Sequence, residues 1–317
     1  FCFDAETGRT LWKHEYPCSP TDPNGYHGTR CTPTVDGERV YSVSRDGQFF
    51  CLDAAQGTVL WSKKFKADFG AEPPKWGYSG SPLVEKDWVL YEVGAAGAGV
   101  VAFDKKTGQV VWKKGNDSAG YSSLVPFTAN GERLLAVFPS AQFVVRRMKD
   151  GSEVGRVPWN TDYGVNAATL IIAGNRIFIS SGYGYGCALL EVQAGGLKEV
   201  WRNKSMRNHV NSCVLWQGYL YGFDNSDLKC LDFQTGDVKW SEKRFGKGSL
   251  MLADGKLILY SQSGKLATAE PSPDGYKEIA SAPALAGKDT WAVPVLANGR
   301  IYCRSLDKMV CLDVKAN

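Results

Sequence analysis

Short runs of alternating apolar and polar residues recur along the whole chain, separated by Asp-Gly and similar turn pairs. This period-two pattern predicts strands. Residues 32–61, TPTVDGERVYSVSRDGQFFCLDAAQGTVLW, show the full unit. They read as a strand, a turn at Asp36-Gly37, a strand, a turn at Asp46-Gly47, a strand, a tight turn and a returning strand. Further units begin near Pro82, Val125, Thr169, Cys213, Leu250 and Pro294. Their second strands read WVLYEV, RLLAVF, RIFISS, YLYGFD, KLILYS and RIYCRS.

The third turn of the unit carries a phrase. FDAETGRTLW at residues 3–12 recurs as LDAAQGTVLW, FDKKTGQVVW and LDFQTGDVKW. In each copy Asp precedes Gly by four residues and Trp by eight: Asp53, Gly57, Trp61; Asp104, Gly108, Trp112; Asp232, Gly236, Trp240. The Asp carboxylate closes a turn on backbone N–H groups two residues on. The Gly supplies a positive φ at the end of a short hairpin loop, a type I turn with a bulge. The Trp begins the returning strand and buries a large apolar area against a neighbouring sheet. Two copies are worn. One has Met148-Lys149-Asp150-Gly151 at the turn and a late Trp159, and the other spans Glu270 to Ile279 with a Ser-Pro-Asp-Gly insertion. Glu191 to Trp201 is intermediate.

A unit of roughly 40 to 50 residues with four antiparallel strands predicts one all-β propeller of four-stranded blades over residues 1–317. The 35 Gly serve turns, because an aromatic content of 12% speaks against disorder. No apolar run approaches the roughly 18 residues of a membrane span. Net charge is only +4, and Lys63-Lys64, Lys105-Lys106 and Lys113-Lys114 fall beside turns or outer strands. They read as solvated faces, so no nucleic-acid partner is expected.

The chain opens inside a unit, with residues 1–16 as third and fourth strands, and ends after a third strand at CLDVKAN. Seven first strands are present. The phrase FCFDAETG reads as the remnant of a full unit, which favours eight blades in a parent protein whose upstream strands are missing here. The alternative is seven blades closed by the N-terminal strand.

These units resemble the pyrroloquinoline-quinone-like (PQQ-like) β-propeller repeat, best at residues 32–61, 81–112 and 213–240. GYSGSPLVEKDWVL, SSGYGYGCALLEV and FGKGSLMLADGKLILY look like an exported bacterial subfamily related to the lipoprotein propeller of outer-membrane protein assembly. The resemblance implies a periplasmic or secreted location. Quinoprotein dehydrogenases of this fold hold PQQ with Ca²⁺, a catalytic Asp and often a disulfide between adjacent cysteines. This chain has no Cys-Cys pair, CxxCH site or EF-hand-like loop, so no catalytic residue and no cofactor are assigned.

Other chemistry is weaker. Gly246-Lys247-Gly248-Ser249 resembles the end of a phosphate loop but leads into a strand. Gly77-Tyr78-Ser79-Gly80 is one residue short of a nucleophile elbow. The histidines, 14, 27 and 209, stand far apart and no HExxH or CxxC is present, so no metal site is expected. Cys2, Cys51, Cys230 and Cys311 each precede the repeat Asp, or its equivalent, by two residues, which fits small buried residues of third strands. Cys187, Cys213 and Cys303 lie in strand-like contexts, while Cys18 and Cys31 flank a polar loop that a disulfide would bridge in an oxidising compartment.

The remaining candidates sit in the loops leading into each first strand, which in a propeller open on one face around the central channel. Aligned, these loops offer Arg30, Trp76, Tyr78, Tyr121, Tyr163, Asn166, Asn208, His209, Lys247 and Trp291. A concave mouth with convergent polar groups is the default binding site. The bland alternative is that the aromatic residues plug the channel and the polar ones satisfy backbone groups. Arg30, Asn208 and His209 are the least explained by packing. The run Ser181 to Gly186 reads as a second exposed loop whose tyrosines offer a contact patch or cover a blade edge. The resulting expectation is a non-catalytic binding or assembly propeller for a protein or small-molecule partner. The alternative is a PQQ-type oxidoreductase, or another enzyme, with its site at the channel mouth.

Overall fold

A computed structural model describes residues 1–18, 30–285, 291–305 and 308–315. Nearly all regular structure is antiparallel β, in consecutive meanders. Seven blades follow a two-stranded hairpin, Cys2–Phe3 with Thr10–Trp12. Six blades are four-stranded, and the seventh has three strands among the described residues. This chain therefore shows seven blades, the count of the alternative reading. A blade is counted by its first strand, and residues 1–12 form only the hairpin, in which Trp12 pairs with Cys2.

The chain divides into two compact units. Unit 1 comprises Phe1–Asn166 with Ala194–Gly196, and unit 2 comprises Ala167–Gln193 with Leu197–Asn317. In unit 1, blades 1 to 3 open with first strands Thr34–Asp36, Leu83–Glu85 and Val125–Ala129. The second and third strands supply most of the core, because both of their faces are covered. Phe49, Tyr41, Tyr91 and Phe103 are essentially solvent-free. A five-residue helix, Phe65–Phe69, inserts Phe65 among Phe49, Tyr78 and Tyr91. It stops at Gly70, which takes the left-handed conformation of a helix C-terminus (φ 70°). In unit 2, blades 4 to 7 open with Ile171–Ala173, Val214–Trp216, Gly248–Ala253 and Val295–Ala297. Their buried side chains include Leu189, Leu220, Tyr221 and Leu259.

The repeated phrase works as the sequence predicts, with one addition. Asp53 accepts the amides of Ala55 and Gln56 at 2.9 and 2.8 Å. Asp104 does the same for Lys106 and Thr107, and Asp232 for Gln234 and Thr235. Gly57, Gly108 and Gly236 all have φ between 71° and 77°. A register shift at Cys51/Leu52, and its counterpart at Cys230/Leu231, marks the bulge. The addition is that each Trp packs against the phrase of the following blade. Trp61 donates its indole N–H to the carbonyl of Lys105 at 3.1 Å, and Trp201 to that of Phe233 at 3.2 Å. A Cβ on Gly108 would lie 2.8 Å from the Trp61 ring, and one on Gly236 2.9 Å from the Trp201 ring. The Gly is thus required twice, by its φ and by the indole above it.

One cysteine expectation changes. Cys51 and Cys230 are buried as expected, but Cys311 is exposed. It lies on Met309–Asp313, the last strand of blade 7, which no fourth strand covers among the described residues. Cys18 and Cys31 are both free thiols.

Candidate functional site

An antiparallel meander sets which loops can meet. The loop into a blade's first strand and the turn between its second and third strands share one end of the blade. The other two turns lie at the opposite end. Candidate residues therefore gather at the leading-loop end of each blade.

In unit 1 the structure brings Trp76, Tyr121 and Tyr163 together. The Trp76 ring is 6.0 Å from Tyr121 and 5.9 Å from Tyr163, edge-on to the latter. The Tyr121 hydroxyl receives the Trp76 amide at 3.3 Å. Lys75 places Nζ 4.9 Å from the Trp76 ring centre and 4.6 Å from that of Tyr163. Such cation–π contacts contribute about 0.5–1 kcal/mol each at exposed positions. Tyr163 is 65% exposed and has φ 61°. A bulky residue in left-handed backbone costs roughly 1–2 kcal/mol, and such conformations gather at functional sites. Arg30 is also exposed. Desolvation and the neighbouring Arg45 lower the affinity of its guanidinium for a proton, and Tyr121 opposes this.

Unit 2 holds a comparable group. His209 lies 5.0 Å from Tyr183 and 6.4 Å from Trp291, edge-on to both rings. Lys247 Nζ stands 6.0 Å from the Trp291 ring centre. Desolvation, and then the Lys247 charge, lower the His209 pKa. Its Nδ1 is buried and makes no hydrogen bond among the described residues. Tyr183 is 43% exposed with φ 53°. It is followed by Gly184 at φ 74°, in a turn closed by the Tyr185 amide on the Gly182 carbonyl. Both central residues have positive φ, which defines a type I′ turn.

Three candidates lie in the interior instead. Tyr78 is 1% exposed, packs edge-on against Phe65 and donates to the Val93 carbonyl at 2.8 Å. Asn166 is fully buried. Its amide nitrogen donates to the carbonyls of Pro139, Ser140 and Trp159, and its oxygen accepts from Thr161. Asn208 is 1% exposed, donates to the Phe223 carbonyl and accepts the Cys213 thiol. Buried amides must bond the chain itself, so these three side chains hold loops in place. His27 lies outside the described residues.

Lys75, Arg45 and the contact between Tyr183 and His209 have no signal in any single motif. The available signal was the parity of the meander, which places the turns at Arg45 and Tyr183 at the leading-loop ends of their blades. As for ions, no group of three or more His, Cys, Asp or Glu side chains is gathered among the described residues.

Comparison with known proteins adds the family. Outer membrane protein assembly factor BamB of Burkholderia pseudomallei is 26% identical over 177 residues, covering 55% of this chain and 42% of that protein. The quinone-dependent alcohol dehydrogenase subunit of Komagataeibacter europaeus is 32% identical over 124 residues, 35% of this chain and 16% of that one. The chain thus spans less than half the length of either relative. The crystal structure of BamB from Moraxella catarrhalis superposes with a TM-score of 0.68 over 90% of this chain and 85% of its own, at 14% identity. That likeness is one of fold. No helix among the described residues is long and apolar enough to cross a membrane. The sequence family described as outer membrane protein assembly factor BamB matches residues 1–242, and the chain belongs to it.

Proposed function

We propose that the chain is a non-catalytic binding propeller of the bacterial envelope, acting on the periplasmic side, that receives a protein partner at its leading-loop ends. The observation that carries this reading is the pair of lysine–aromatic groups, each topped by an exposed tyrosine in left-handed backbone. Lys75, Trp76, Tyr121 and Tyr163 form one, and Tyr183, His209, Lys247 and Trp291 the other. Aromatic side chains held rigidly at a surface supply contact area at low entropic cost, as in interface hot spots. The relative's description as an outer membrane protein assembly factor supports a partner from that process.

The test is site-specific photo-crosslinking in cells. A photoreactive side chain at Tyr163 or Tyr183 should trap one envelope assembly protein. The same group at Lys106, in a turn at the opposite end of its blade, should not. Equal trapping from all three positions, or no adduct from either tyrosine, contradicts the reading.

A further inference from the structure

Arg45 occupies the turn between the second and third strands of blade 1, at the leading-loop end of unit 1. Its side chain is only 7% exposed. Nε and Nη1 are both buried and have no hydrogen-bond partner among the described residues. Among the described residues the Asp46 carboxylate comes within 3.9 Å of Nε, beyond hydrogen-bond reach, and interacts with the Cys18 thiol. A buried guanidinium with unmet donors is costly. The surrounding chain nonetheless fixes it in place. The Arg45 carbonyl accepts the Tyr78 amide at 2.9 Å, and the turn is closed by Gly47 on Ser44. Gly77 lies so close that a Cβ there would meet the Arg45 Cβ at 2.7 Å.

A second cation faces the first. Arg30 is close enough to feel the charge of Arg45, and it also feels Tyr121. Lys75 adds a third positive charge beside Trp76 and Tyr163. Among the described residues Asp46 is the acid that comes within 4 Å of Arg45, and it leaves the buried Arg45 N–H donors unmet. The oxygens of an anion are the acceptors that such N–H donors lack. We propose that Arg45 and Arg30 form a binding site for a single oxyanion, a carboxylate or a phosphate, carried on a small molecule or presented by a larger one. The buried Arg45 donors supply the directional bonds, Arg30 adds charge, and the rings of Trp76 and Tyr121 offer flat contact beside it. This site goes beyond the partner reading and does not depend on it.

The probes are sodium benzoate and inorganic phosphate, titrated into the purified chain at constant ionic strength with sodium chloride as the reference. Melting temperature and tryptophan fluorescence are read together. The site predicts a saturable rise in melting temperature with at least one oxyanion. A response to benzoate identifies the carboxylate, and a response to phosphate the phosphate. Arg45→Met should weaken that apparent affinity about tenfold or more, and Arg30→Met by a smaller factor. Arg45→Met should itself melt no lower than the parent, since it removes an unpaired buried charge. A response no different from chloride, or equal affinity in parent and Arg45→Met, overturns the proposal. Because no partner protein enters this experiment, its failure leaves the crosslinking outcome at Tyr163 untouched.

Discussion

The indole of Trp61 lies directly over Gly108 of the following blade, where a Cβ would sit 2.8 Å from the ring. The same indole donates to the Lys105 carbonyl three residues earlier. One blade thus reads the turn of the next. Gly108→Ala should therefore destabilise the chain by about 2–3 kcal/mol, combining a φ of 71° with a steric clash. Gly131→Ala is the control, with φ 76° but nothing within 4 Å of its Cβ position; it should cost only about 1 kcal/mol. Denaturant unfolding of both variants, with and without Trp61→Ala, measures the difference. If Gly108 costs no more than Gly131, the contact with the indole is energetically idle.

Glu92 is 6% exposed, and one of its carboxylate oxygens has no hydrogen-bond partner among the described residues. It borders a cavity of about 10 Å³ lined also by Tyr78, Tyr91 and Gly120, room for one water. Burial raises its pKa to about 8; the Gly120 backbone and Arg146 oppose this, and Asp117 adds to it. The folded chain then keeps a proton that the unfolded chain releases above the ordinary value of 4.5. Its contribution to stability is full below pH 4.5 and is lost as pH rises towards 8. Glu92→Gln should remove this slope and stabilise the chain at pH 8 by about 3 kcal/mol. Parallel unfolding curves for parent and variant at pH 5 and pH 8 would contradict it.

Asp224 has the opposite sign. Its carboxylate is nearly solvent-free, and burial alone would raise its pKa. Hydrogen bonds from Arg207, at 2.6 and 2.8 Å, and from Lys229 outweigh burial, so the pKa falls below the ordinary 3.8. Its stabilisation is present above pH 3.8 and is lost as pH falls through the lowered value. Asp224→Asn should cost about 3–5 kcal/mol at pH 7, because it leaves two cations unpaired. A loss under about 1 kcal/mol by calorimetry would show that the pair behaves as a surface bridge.

Asn166 and Tyr163 stand three residues apart and should separate structure from function. Asn166→Ala leaves the carbonyls of Pro139, Ser140 and Trp159 without their donor and should cost about 2–3 kcal/mol. Tyr163→Asn relieves the left-handed strain but loses the Lys75 contact, so its net effect should stay within about 1 kcal/mol. Thermal unfolding of the two variants side by side gives the answer.

The fold was legible because one phrase repeats at constant spacing. Asp53, Gly57 and Trp61 each have a local job that the sequence displays. That Trp61 meets Gly108, and not its own blade's Gly57, was hidden, because the contact joins separate turns of the repeat. Phe3 to Trp12 carries a complete phrase yet forms only a hairpin here, because a phrase holds the third turn of a unit and not its first two strands. At the candidate site, Trp76, Tyr121 and Tyr163 were named by loop position and do converge. Asn166 and Asn208 were named by the same logic and lie inside. A polar residue in a loop reads the same in sequence whether it faces solvent or bonds the backbone beneath it. Arg45 was passed over because its turn pair, Asp46-Gly47, reads as ordinary punctuation.

The most direct test of the binding role is an affinity measurement with the purified partner trapped through Tyr163. Trp76→Ala and Tyr163→Asn should each weaken binding tenfold or more, on the order of 1.4 kcal/mol, with melting temperatures close to the parent. Unchanged affinity in both variants would contradict a partner site at the leading-loop end of unit 1.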